Sequence, residues 1–317
     1  MAELFVELFT EEIPAKLQID ARQKIKQIIE VNLKKKEIYF KSSKSFSTPK
    51  RLVFFIEGLP KKIEQKKKII KGPKIDAPEK ALDGFIKAHN ISKHDVYKKK
   101  IEKGEFYFAE TKPKVIDILS ELQSIIPESL KNYYWKKSMR WSIYDLNWGR
   151  PLKSILALFN DKIINFDFFH LKSGNLTLID GISEEKIKKI KNFKSYLDIL
   201  KLENVILDHE KRKQIILKKM NSICHAKKLK NNFNEKLIEE VVNLVEKPNV
   251  ILGKFNEIYL KIPKEILIVT MQQHQKYFPL FDNNGLTNFF LLVANLPDIK
   301  GYIKSGNQKV RSKIIGR

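Results

Sequence analysis

Apolar residues near the N-terminus follow first the spacing of a strand and then that of a helix. Residues 3–10 alternate as a strand requires, and after Pro14 apolar side chains recur every three or four positions as far as residue 33. A β-branched and aromatic run at residues 52–56 follows a turn at residues 45–49. The pattern therefore predicts a strand, a helix and a second strand.

Further along, helix-like and strand-like patterns mix, and the lysine-dominated residues 61–71 indicate an exposed connection. Because the strands and helices show no regular βαβ alternation, the predicted fold class is α+β. The predicted elements are helices at 77–89 and 115–134, the second interrupted near Pro127, and strands at 104–111 and 163–169.

The character of the chain changes after Gly181. Residues 184–232 are rich in lysine and carry a helical spacing of apolar positions. The later elements are predicted as helices at 237–245 and 263–273 and strands at 250–252, 278–281 and 289–294. We therefore predict an α+β domain at 1–181, a Lys-rich helical segment at 182–247, and an α+β segment at 248–317 that packs back on the core.

The chain is strongly basic, with 61 Lys and Arg against 37 Asp and Glu and a net charge of +24. This charge favours a polyanionic partner, either nucleic acid or an anionic membrane surface. Only seven of these residues are Arg, and Ile, Asn and Lys abound throughout, so a genome with AT-rich codons explains the composition equally well. Since Lys acts as a point charge, contact with phosphate is favoured over recognition of bases.

Cysteine use and the N-terminal residues indicate the compartment. Cys224 is the single cysteine, so no disulfide forms within the chain and no cysteine pair has metal-ligand spacing. Glu3, Glu7, Glu11 and Glu12 occupy a region that is basic and then apolar in a signal peptide, and no apolar run is long enough to span a bilayer. We predict a cytoplasmic protein with no metal site and no membrane association.

The sequence offers little for catalysis. It contains no nucleotide-binding loop of the Gly-x4-Gly-Lys-Ser/Thr or Gly-x-Gly-x-x-Gly kind, so it holds no legible ATP site of its own. The neighbouring carboxylates of Glu11 and Glu12 suit acid–base chemistry, but their position before Pro14 at a helix start favours a structural role. We predict no catalytic residue in this chain.

Several basic and aromatic side chains lie in short motifs that suit RNA contact. Each motif also has a structural explanation, because Arg beside Trp packs on domain surfaces, a basic turn starts a strand, and a histidine between a helix and a strand caps carbonyls. Both explanations stay open at these positions. The candidate RNA-binding residues are Lys50, Arg51, Arg140, Trp141, Arg150, His274, Lys276, Tyr277, Lys309 and Arg311.

Short stretches spread over nearly the whole chain form a collinear series. They are 6–16 (VELFTEEIPAK), 48–52 (TPKRL), 71–73 (KGP), 103–106 (KGEF), 139–141 (MRW), 150–151 (RP), 173–175 (SGN), 244–248 (LVEKP), 274–279 (HQKYFP), 288–295 (NFFLLVAN) and 305–307 (SGN). Each stretch alone is weak, but in this order they resemble the beta subunit of the bacterial-type, two-chain glycyl-tRNA synthetase.

Three departures from the family's pattern stand out. Lys247 stands where the family usually has Trp, and residues 178–181 replace a Gly-His-Arg-Phe segment, so any role of that His and Arg is absent here. After Arg311 the family continues into an acidic, aromatic stretch, whereas this sequence stops at Arg317. Because the familiar subunit is more than twice as long, we expect its N-terminal portion only, as a fragment, a truncated product or a split form.

The resemblance implies a module of glycine–tRNA ligase that supports tRNA binding and subunit assembly in an α2β2 heterotetramer. The alpha subunit and tRNA(Gly) are the implied partners, and glycine, ATP and Mg2+ are expected on the alpha subunit, with no cofactor on this chain. The N-terminal region is also expected to be similar to the editing-type domain of the phenylalanyl-synthetase beta chain. Two alternatives stay open: a hydrolytic editing domain that acts on mischarged tRNA through Glu11, Glu12 and His274, and a truncated remnant without a tRNA role.

Overall fold

The computed structural model describes residues 2–65, 69–89, 91–101, 104–110, 114–180 and 185–296. The helices in these ranges are α1 (Ala15–Lys35), α2 (Glu79–His89), α3 (Ile118–Lys131), α4 (Phe193–Leu202), α5 (His209–Lys227), α6 (Glu235–Val242) and α7 (Lys264–Val269).

The strands are β1 (Ala2–Thr10), β2 (Ser42–Thr48), β3 (Arg51–Leu59), β4 (Lys62–Gln65), β5 (Ile69–Lys74), β6 (Val96–Ile101), β7 (Gly104–Glu110), β8 (Lys114–Asp117), β9 (Leu152–Phe159), β10 (Lys162–Ile163), β11 (Asp167–Phe168), β12 (Leu171–Gly174), β13 (Leu176–Asp180), β14 (Glu185–Lys189), β15 (Lys230–Asn231), β16 (Pro248–Lys254), β17 (Phe278–Asp282) and β18 (Gly285–Asn295). The chain divides into two compact units, a first unit of Met1–Leu59 with Gln123–Arg317 and a second unit of Pro60–Leu122.

The main sheet of the first unit is seven-stranded, in the order β11–β12–β9–β1–β3–β2 with β10 paired to β9. Its pairings are antiparallel except that of β12 with β9. Strand β1 lies inside the sheet and is buried over nearly its whole length, which explains its almost continuous apolar sequence. On one face of the sheet Phe5 and Val53 pack with Tyr196 of α4.

Helix α1 runs from the helix start predicted at Pro14, which occupies the N-cap position. Its buried stripe includes Leu17, Ala21 and Ile25 at three- and four-residue spacing, and the helix packs along β2 and β3. The last turn carries basic residues, which suit the negative end of the helix dipole. The predicted strand, helix and strand at the N-terminus are therefore confirmed.

The second sheet of the first unit has the order β15–β17–β18–β16. Its core combines Ile216 and Met220 of α5 with Val241 of α6 and Phe278 and Leu291 of the strands. The Lys-rich helix α5 thus buries one apolar stripe, and its many lysines point away from that core. This sheet and its two helices form the later half of the first unit.

Within the second unit, β5, β7 and β6 form a three-stranded antiparallel sheet, and β4 pairs with β8. Helix α2 packs on β5, where the ring of Phe85 lies 2.9 Å from the position that a Cβ on Gly72 would take. A side chain larger than hydrogen at Gly72 would therefore displace the helix.

The α+β class is confirmed, and several elements differ from their prediction. Residues 61–71, predicted as a connection, contain β4 and part of β5, and the predicted helical segment 184–232 begins with β14. Pro127 lies inside α3 because that helix is held by the buried residues Ile126 and Leu130 on either side of it. The predicted boundary at Gly181 falls outside the described residues, and the chain before and after it belongs to the first unit.

None of the helices in the described ranges is long and apolar enough to cross a bilayer. Over the same ranges no group of three or more His, Cys, Asp and Glu side chains is arranged to hold a metal ion. Cys224 is a free thiol buried in the core of the second sheet.

Candidate functional site

Two loops of the first unit meet at the segment that joins β1 to α1. The backbone N–H of Glu11 donates to the carbonyl of Pro151 at 2.9 Å, and that of Ile13 donates to the carbonyl of Pro49 at 2.7 Å. Lys50 and Arg150 are the neighbours of these two prolines in sequence. Two of the candidate cations therefore lie beside one short segment, although they are 100 residues apart in the chain.

A polar groove lies next to the same segment, at the start of α1. It has a volume of about 560 Å3, and its polar lining consists of three lysines, three amides and two carboxylates: Lys16, Lys236, Lys276, Asn234, Gln272, Gln273, Glu239 and Glu240. We call the groove, together with Lys50 and Arg150, the α1-start surface. It combines cationic groups with amide side chains that donate hydrogen bonds, which suits contact with phosphate oxygens.

The far wall of the groove is a π-helical turn at Thr270–His274 that follows α7. Such turns occur often at functional sites because they widen the backbone and redirect side chains. Lys276, two residues later, has a φ of 58° in the left-handed region, and its Nζ lies 2.9 Å from Oε1 of Glu240. The turn thus aims Lys276 at α6, where it forms an ion pair at the edge of the groove.

His274 and Tyr277 have different environments. His274 is exposed at the end of the π-helical turn. Tyr277 stacks on Phe290 with the ring centroids 4.5 Å apart and the planes at 14°, and its N–H donates to the carbonyl of Met271 at 2.8 Å. Tyr277 therefore packs against the second sheet, whereas His274 is open to solvent.

Arg140 and Trp141 lie in the loop between α3 and β9. The guanidinium of Arg140 donates to the carbonyl of Tyr144 and pairs with Asp145, both at 2.9 Å, with its side chain 56% exposed. Trp141 meets His170 edge-on at 5.9 Å, and His170 in turn stacks on Tyr144 at 3.7 Å. This polar and aromatic group lies at the surface, and Met139 beside Arg140 connects it to Arg150, whose guanidinium lies 4.0 Å from the Met139 sulfur.

The Arg150 motif is largely a packing motif. Trp148 is buried and meets Trp135 at 5.0 Å, and a Cβ on Gly149 would lie 2.4 Å from the Trp135 ring. Arg150 itself is partly exposed and donates to the carbonyl of Gly149 at 3.1 Å. The alternative explanation was a Trp packed against an Arg stem on a domain surface; the structure instead buries Trp148 against Trp135 and Phe168, and Arg150 is partly exposed.

Arg51 lies in the interior of the first unit, so its charge is not presented to RNA. Its guanidinium pairs with Oε2 of Glu246 at 2.7 Å and with Oε2 of Glu7 at 3.4 Å, and it also lies 4.8 Å from the centre of the Phe9 ring. It donates a further hydrogen bond to the carbonyl of Leu178. Three of the stretches that carry the family resemblance supply Glu7, Arg51 and Glu246, and the fold brings them into one ion cluster.

Glu7 is held by neutral donors as well as by Arg51. Thr177 donates to its Oε1 at 2.6 Å, and the Tyr196 hydroxyl donates to its Oε2. Burial raises the pKa of the Glu7 carboxyl above its usual range, and the charge of Arg51 opposes that effect. Burial, together with the charge of Glu7, raises the pKa of Tyr196 well above its usual value, so the phenol stays protonated and donates.

Sequence reasoning missed a second buried arginine beside this cluster. Arg212 of α5 donates to the carbonyls of Ile206 at 2.7 Å, Leu207 at 2.9 Å and Val242 at 3.1 Å, and to that of Ser47 at 2.8 Å. It therefore ties α5 and the loop before it to the end of β2. Nothing in the local sequence marks Arg212 as buried, because it stands among lysines within a helical pattern.

A third arginine completes the interior group. Arg22 of α1 is buried and donates to Oγ of Ser47 at 2.9 Å and to Oδ1 of Asn243 at 3.1 Å. His209 lies near it with its side chain 18% exposed, and burial, with the charges of Arg22 and Arg212, lowers the pKa of His209 to about 4. We call Arg22, Arg51 and Arg212, with their partners, the arginine cluster.

The remaining candidates do not form a catalytic group. Lys309 and Arg311 fall outside the described residues. Glu11 pairs with Lys153 at 2.8 Å, and within the described part of the chain His274 makes no hydrogen bond or ion pair with Glu11 or Glu12. The geometry thus offers surfaces for contact and an interior held by ions, with no nucleophile and base brought together at these positions.

A family model described as "Glycyl-tRNA synthetase beta subunit" matches residues 4–313. Similar proteins include the glycine–tRNA ligase beta subunits of Rickettsia typhi, 39% identical over 314 residues, and of Rickettsia felis, 38% identical over 317 residues. Each alignment covers 98% of this chain and 47% of the relative, so the chain spans about half the length of the relatives it matches.

This match and these relatives place the chain among the aminoacyl-tRNA synthetase subunits. The chain belongs to the glycyl-tRNA synthetase beta subunit family, because the family model matches nearly its whole length. The resemblance drawn from the collinear stretches is confirmed.

Proposed function

We propose that this chain acts as the N-terminal part of the beta subunit of glycine–tRNA ligase, supporting tRNA binding and assembly with a separate catalytic alpha subunit. In this proposal the complex is an α2β2 heterotetramer in the cytoplasm that charges tRNA(Gly). Glycine, ATP and Mg2+ bind to the alpha subunit, and this chain performs no adenylation. The observation that carries the proposal is the family match over residues 4–313.

The α1-start surface supports the tRNA-binding part of the proposal. Lys16 and Lys276 line the groove, and Lys50 and Arg150 adjoin the prolines that bond to the same segment, so the fold gathers cations that the sequence disperses, beside the carboxylates of Glu239 and Glu240. Cations at such spacing neutralise successive phosphates and release counterions, which supplies sequence-independent affinity. Arg140 and His274 are further exposed groups that extend this role beyond the groove.

Assembly is tested by mixing the purified chain with the alpha subunit. We expect the two to co-elute in size-exclusion chromatography, and the chain alone to attach no glycine to tRNA(Gly) in the presence of ATP. A chain that glycylates tRNA unaided would overturn the proposal, because the chemistry would then lie in this polypeptide. A chain that never co-elutes with the alpha subunit would support the alternative of a remnant.

Phosphate contact is tested by the salt dependence of tRNA binding in a matched pair of variants. Lys16→Gln/Lys50→Gln alters the α1-start surface, which lies at the Thr10 end of β1. Lys162→Gln/Lys194→Gln removes the same charge at the other end of β1, since Lys162 pairs with Phe159, the partner of Leu4, and Lys194 lines one cavity with Glu3 and Asn160. We expect the first variant to reduce the slope of log K against log[salt] by about two, and the second to leave it nearly unchanged. Equal slopes in both variants would contradict contact at this surface.

We also propose that residues 1–181 share the architecture of the editing-type domain of the phenylalanyl-synthetase beta chain, without its hydrolytic activity. The mixed sheet with helices supports the first part, and the pairing of Glu11 with Lys153 supports the second, because it engages the carboxylate that hydrolysis would need. Incubation with mischarged tRNA should release no amino acid above the rate in buffer. Release that depends on the chain, and that Glu12→Gln abolishes, would restore the editing alternative.

A further inference from the structure

The second unit carries a sheet face that contains none of the candidate RNA-binding residues named from the sequence. In the three-stranded sheet Tyr97 pairs with Phe108 and Lys99 with Phe106, while on the other side of β7 Lys71 pairs with Phe108 and Lys74 with Phe106. Because paired residues of neighbouring strands point to the same face, these side chains share one face. We call it the aromatic–lysine face: Lys71, Lys74, Tyr97, Lys99, Phe106 and Phe108.

Contacts within this face confirm that rings and ammonium groups interleave. Nζ of Lys71 lies 3.5 Å from the centre of the Phe106 ring, and Nζ of Lys99 lies 5.9 Å from that of Phe108. Tyr97 stacks beside Phe108 with centroids 6.2 Å apart and planes at 25°. The three lysines are exposed, Tyr97 is 38% exposed, and among the described residues none of the three ammonium groups has a carboxylate partner.

The opposite face of this sheet is the one that packs. Side chains alternate along a strand, so Ala109 points away from Phe108, and it is fully buried. Gly72 likewise points away from Lys71, and its missing Cβ is directed at the Phe85 ring of α2. Helix α2 therefore covers the other side. On the aromatic–lysine face Tyr97 and the three lysines are exposed, whereas the Phe106 ring, over which Nζ of Lys71 lies, is only 9% exposed.

We propose that the aromatic–lysine face binds single-stranded RNA, with unpaired bases stacking on Tyr97 and Phe108 and the ammonium groups of Lys71, Lys74 and Lys99 contacting the phosphates between them. Sheets bind single strands in this way because every base has a π-face and every linkage a negative charge. A duplex hides its bases, so the face discriminates against it. The identity of the RNA as tRNA rests on the proposed function; the binding itself does not.

The lysines are tested with a matched pair on neighbouring positions. Lys71→Gln/Lys99→Gln alters the aromatic–lysine face, and Lys98→Gln/Lys100→Gln removes the same charge from the opposite face of the same sheet. Binding of a fluorescein-labelled 12-nucleotide oligo(U) by the full chain is followed by fluorescence anisotropy. We expect the first variant to weaken binding about tenfold, and the second to weaken it less than about threefold. Equal losses would show attraction to net charge alone and overturn the proposal.

The aromatic part is tested at Tyr97. We expect Tyr97→Ala to weaken oligo(U) binding about tenfold, which corresponds to the loss of one stacked base, and Tyr97→Phe to bind as the unaltered chain does. Circular dichroism confirms that each variant folds, and the two lysine pairs keep the test decisive if Tyr97→Ala does not fold. Unaltered affinity in Tyr97→Ala, or equal affinity for a 12-base-pair RNA duplex, would overturn stacking of unpaired bases.

The oligonucleotide assay contains neither tRNA nor the alpha subunit, so its result is separate from the proposed function. If the chain does not co-elute with the alpha subunit, the proposed function is contradicted, but the proposal that this face binds single-stranded RNA is not. Conversely, tRNA binding that responds to Lys16→Gln/Lys50→Gln but not to Lys71→Gln/Lys99→Gln, with no oligo(U) binding, would remove this site and leave the proposed function.

Discussion

The arginine cluster of the first unit and the aromatic–lysine face of the second use cations in opposite ways. Arg51 and Arg212 are fully buried, and each donates to several oxygens supplied by distant parts of the chain. Lys71 and Lys99 lie at the surface, with aromatic rings as their neighbours. A guanidinium has five donors in a fixed fork and is satisfied inside a protein, whereas a strongly hydrated ammonium stays in water.

This contrast shows that net charge does not locate a binding site. All three arginines of the cluster count toward the charge of +24. Each of them is buried, so none presents its charge to a second molecule. Exposed lysines contribute to the surface potential, whereas Arg22, Arg51 and Arg212 hold the interior together. Substitutions in the arginine cluster should therefore lower the free energy of unfolding, whereas substitutions of exposed lysines should lower the affinity for RNA and change stability little.

The largest effect is expected for Arg51→Ala. It leaves Glu246 and Glu7 buried without their cation, so we expect the free energy of unfolding to fall by about 3 to 5 kcal/mol. Urea titration followed by circular dichroism measures it. Because the carboxylate and the guanidinium are coupled, Arg51→Ala/Glu246→Ala should cost less than the sum of the two single changes. Strict additivity would contradict a coupled pair.

Arg212→Lys should follow, although it conserves the charge. An ammonium has three donors and no fork, so it cannot serve the carbonyls of Ser47, Ile206, Leu207 and Val242 together. We expect a loss of about 3 kcal/mol, since buried carbonyls are left without a donor. The control is Lys211→Arg at the neighbouring, exposed position, which should change stability little. Equal stability of Arg212→Lys would show that charge, not geometry, is required.

The pH dependence of stability should reveal His209. Its folded pKa of about 4 lies below the ordinary value of 6.5, so the unfolded chain binds the proton more tightly between these values. Stability from this group is therefore complete above pH 6.5 and is lost as the pH falls toward 4. Between pH 6.5 and 4.5 we expect about 2 kcal/mol of loss from His209. The difference between the unaltered chain and His209→Gln isolates it, and parallel pH profiles would exclude this contribution.

The smallest effect on stability is expected for Arg140→Ala. Its partner Asp145 is 79% exposed, and exposed ion pairs are screened by solvent, so less than about 1 kcal/mol should be lost. If Arg140 contacts tRNA as proposed, the same variant should weaken tRNA binding and lower its salt slope by about one. A variant that loses several kcal/mol would place Arg140 with the arginine cluster instead of with the surface cations.

The sequence predicted best the elements whose form is set locally. Strand β1 and helix α1 have strong apolar periodicity and a Pro at the helix start, and both lie where they were predicted. Strand β2 is polar, and its residues 45–48 were predicted as part of a turn, because its structure comes from pairing with β3 rather than from its own pattern. Strand β14 (EKIKK) is likewise mostly charged, with Ile187 as its one apolar residue, and its pairing with β13 marks it as a strand.

The candidate site was predicted in part, for a similar reason. Lys276 and Arg150 reach the surface as a contact role requires, because a motif at an element boundary tends to be exposed. Arg51 stands in an equally basic motif, but it is buried because its guanidinium pairs with Glu246, 195 residues later in the chain. A single sequence carries no local sign of such a partner. The aromatic–lysine face was not predicted, because its residues come together through the pairing register of β5, β6 and β7 and not through their spacing along one segment.

The separation of Arg51 from Glu246 has a consequence for synthesis on the ribosome. Arg51 is translated 195 codons before Glu246, an interval of about 10 to 40 s at ordinary elongation rates. During that time the nascent sheet holds a guanidinium whose principal carboxylate does not yet exist. We expect the N-terminal strands to remain accessible to chaperones until the LVEKP stretch has left the exit tunnel. The rate of translation would then set when Arg51 is buried with Glu246.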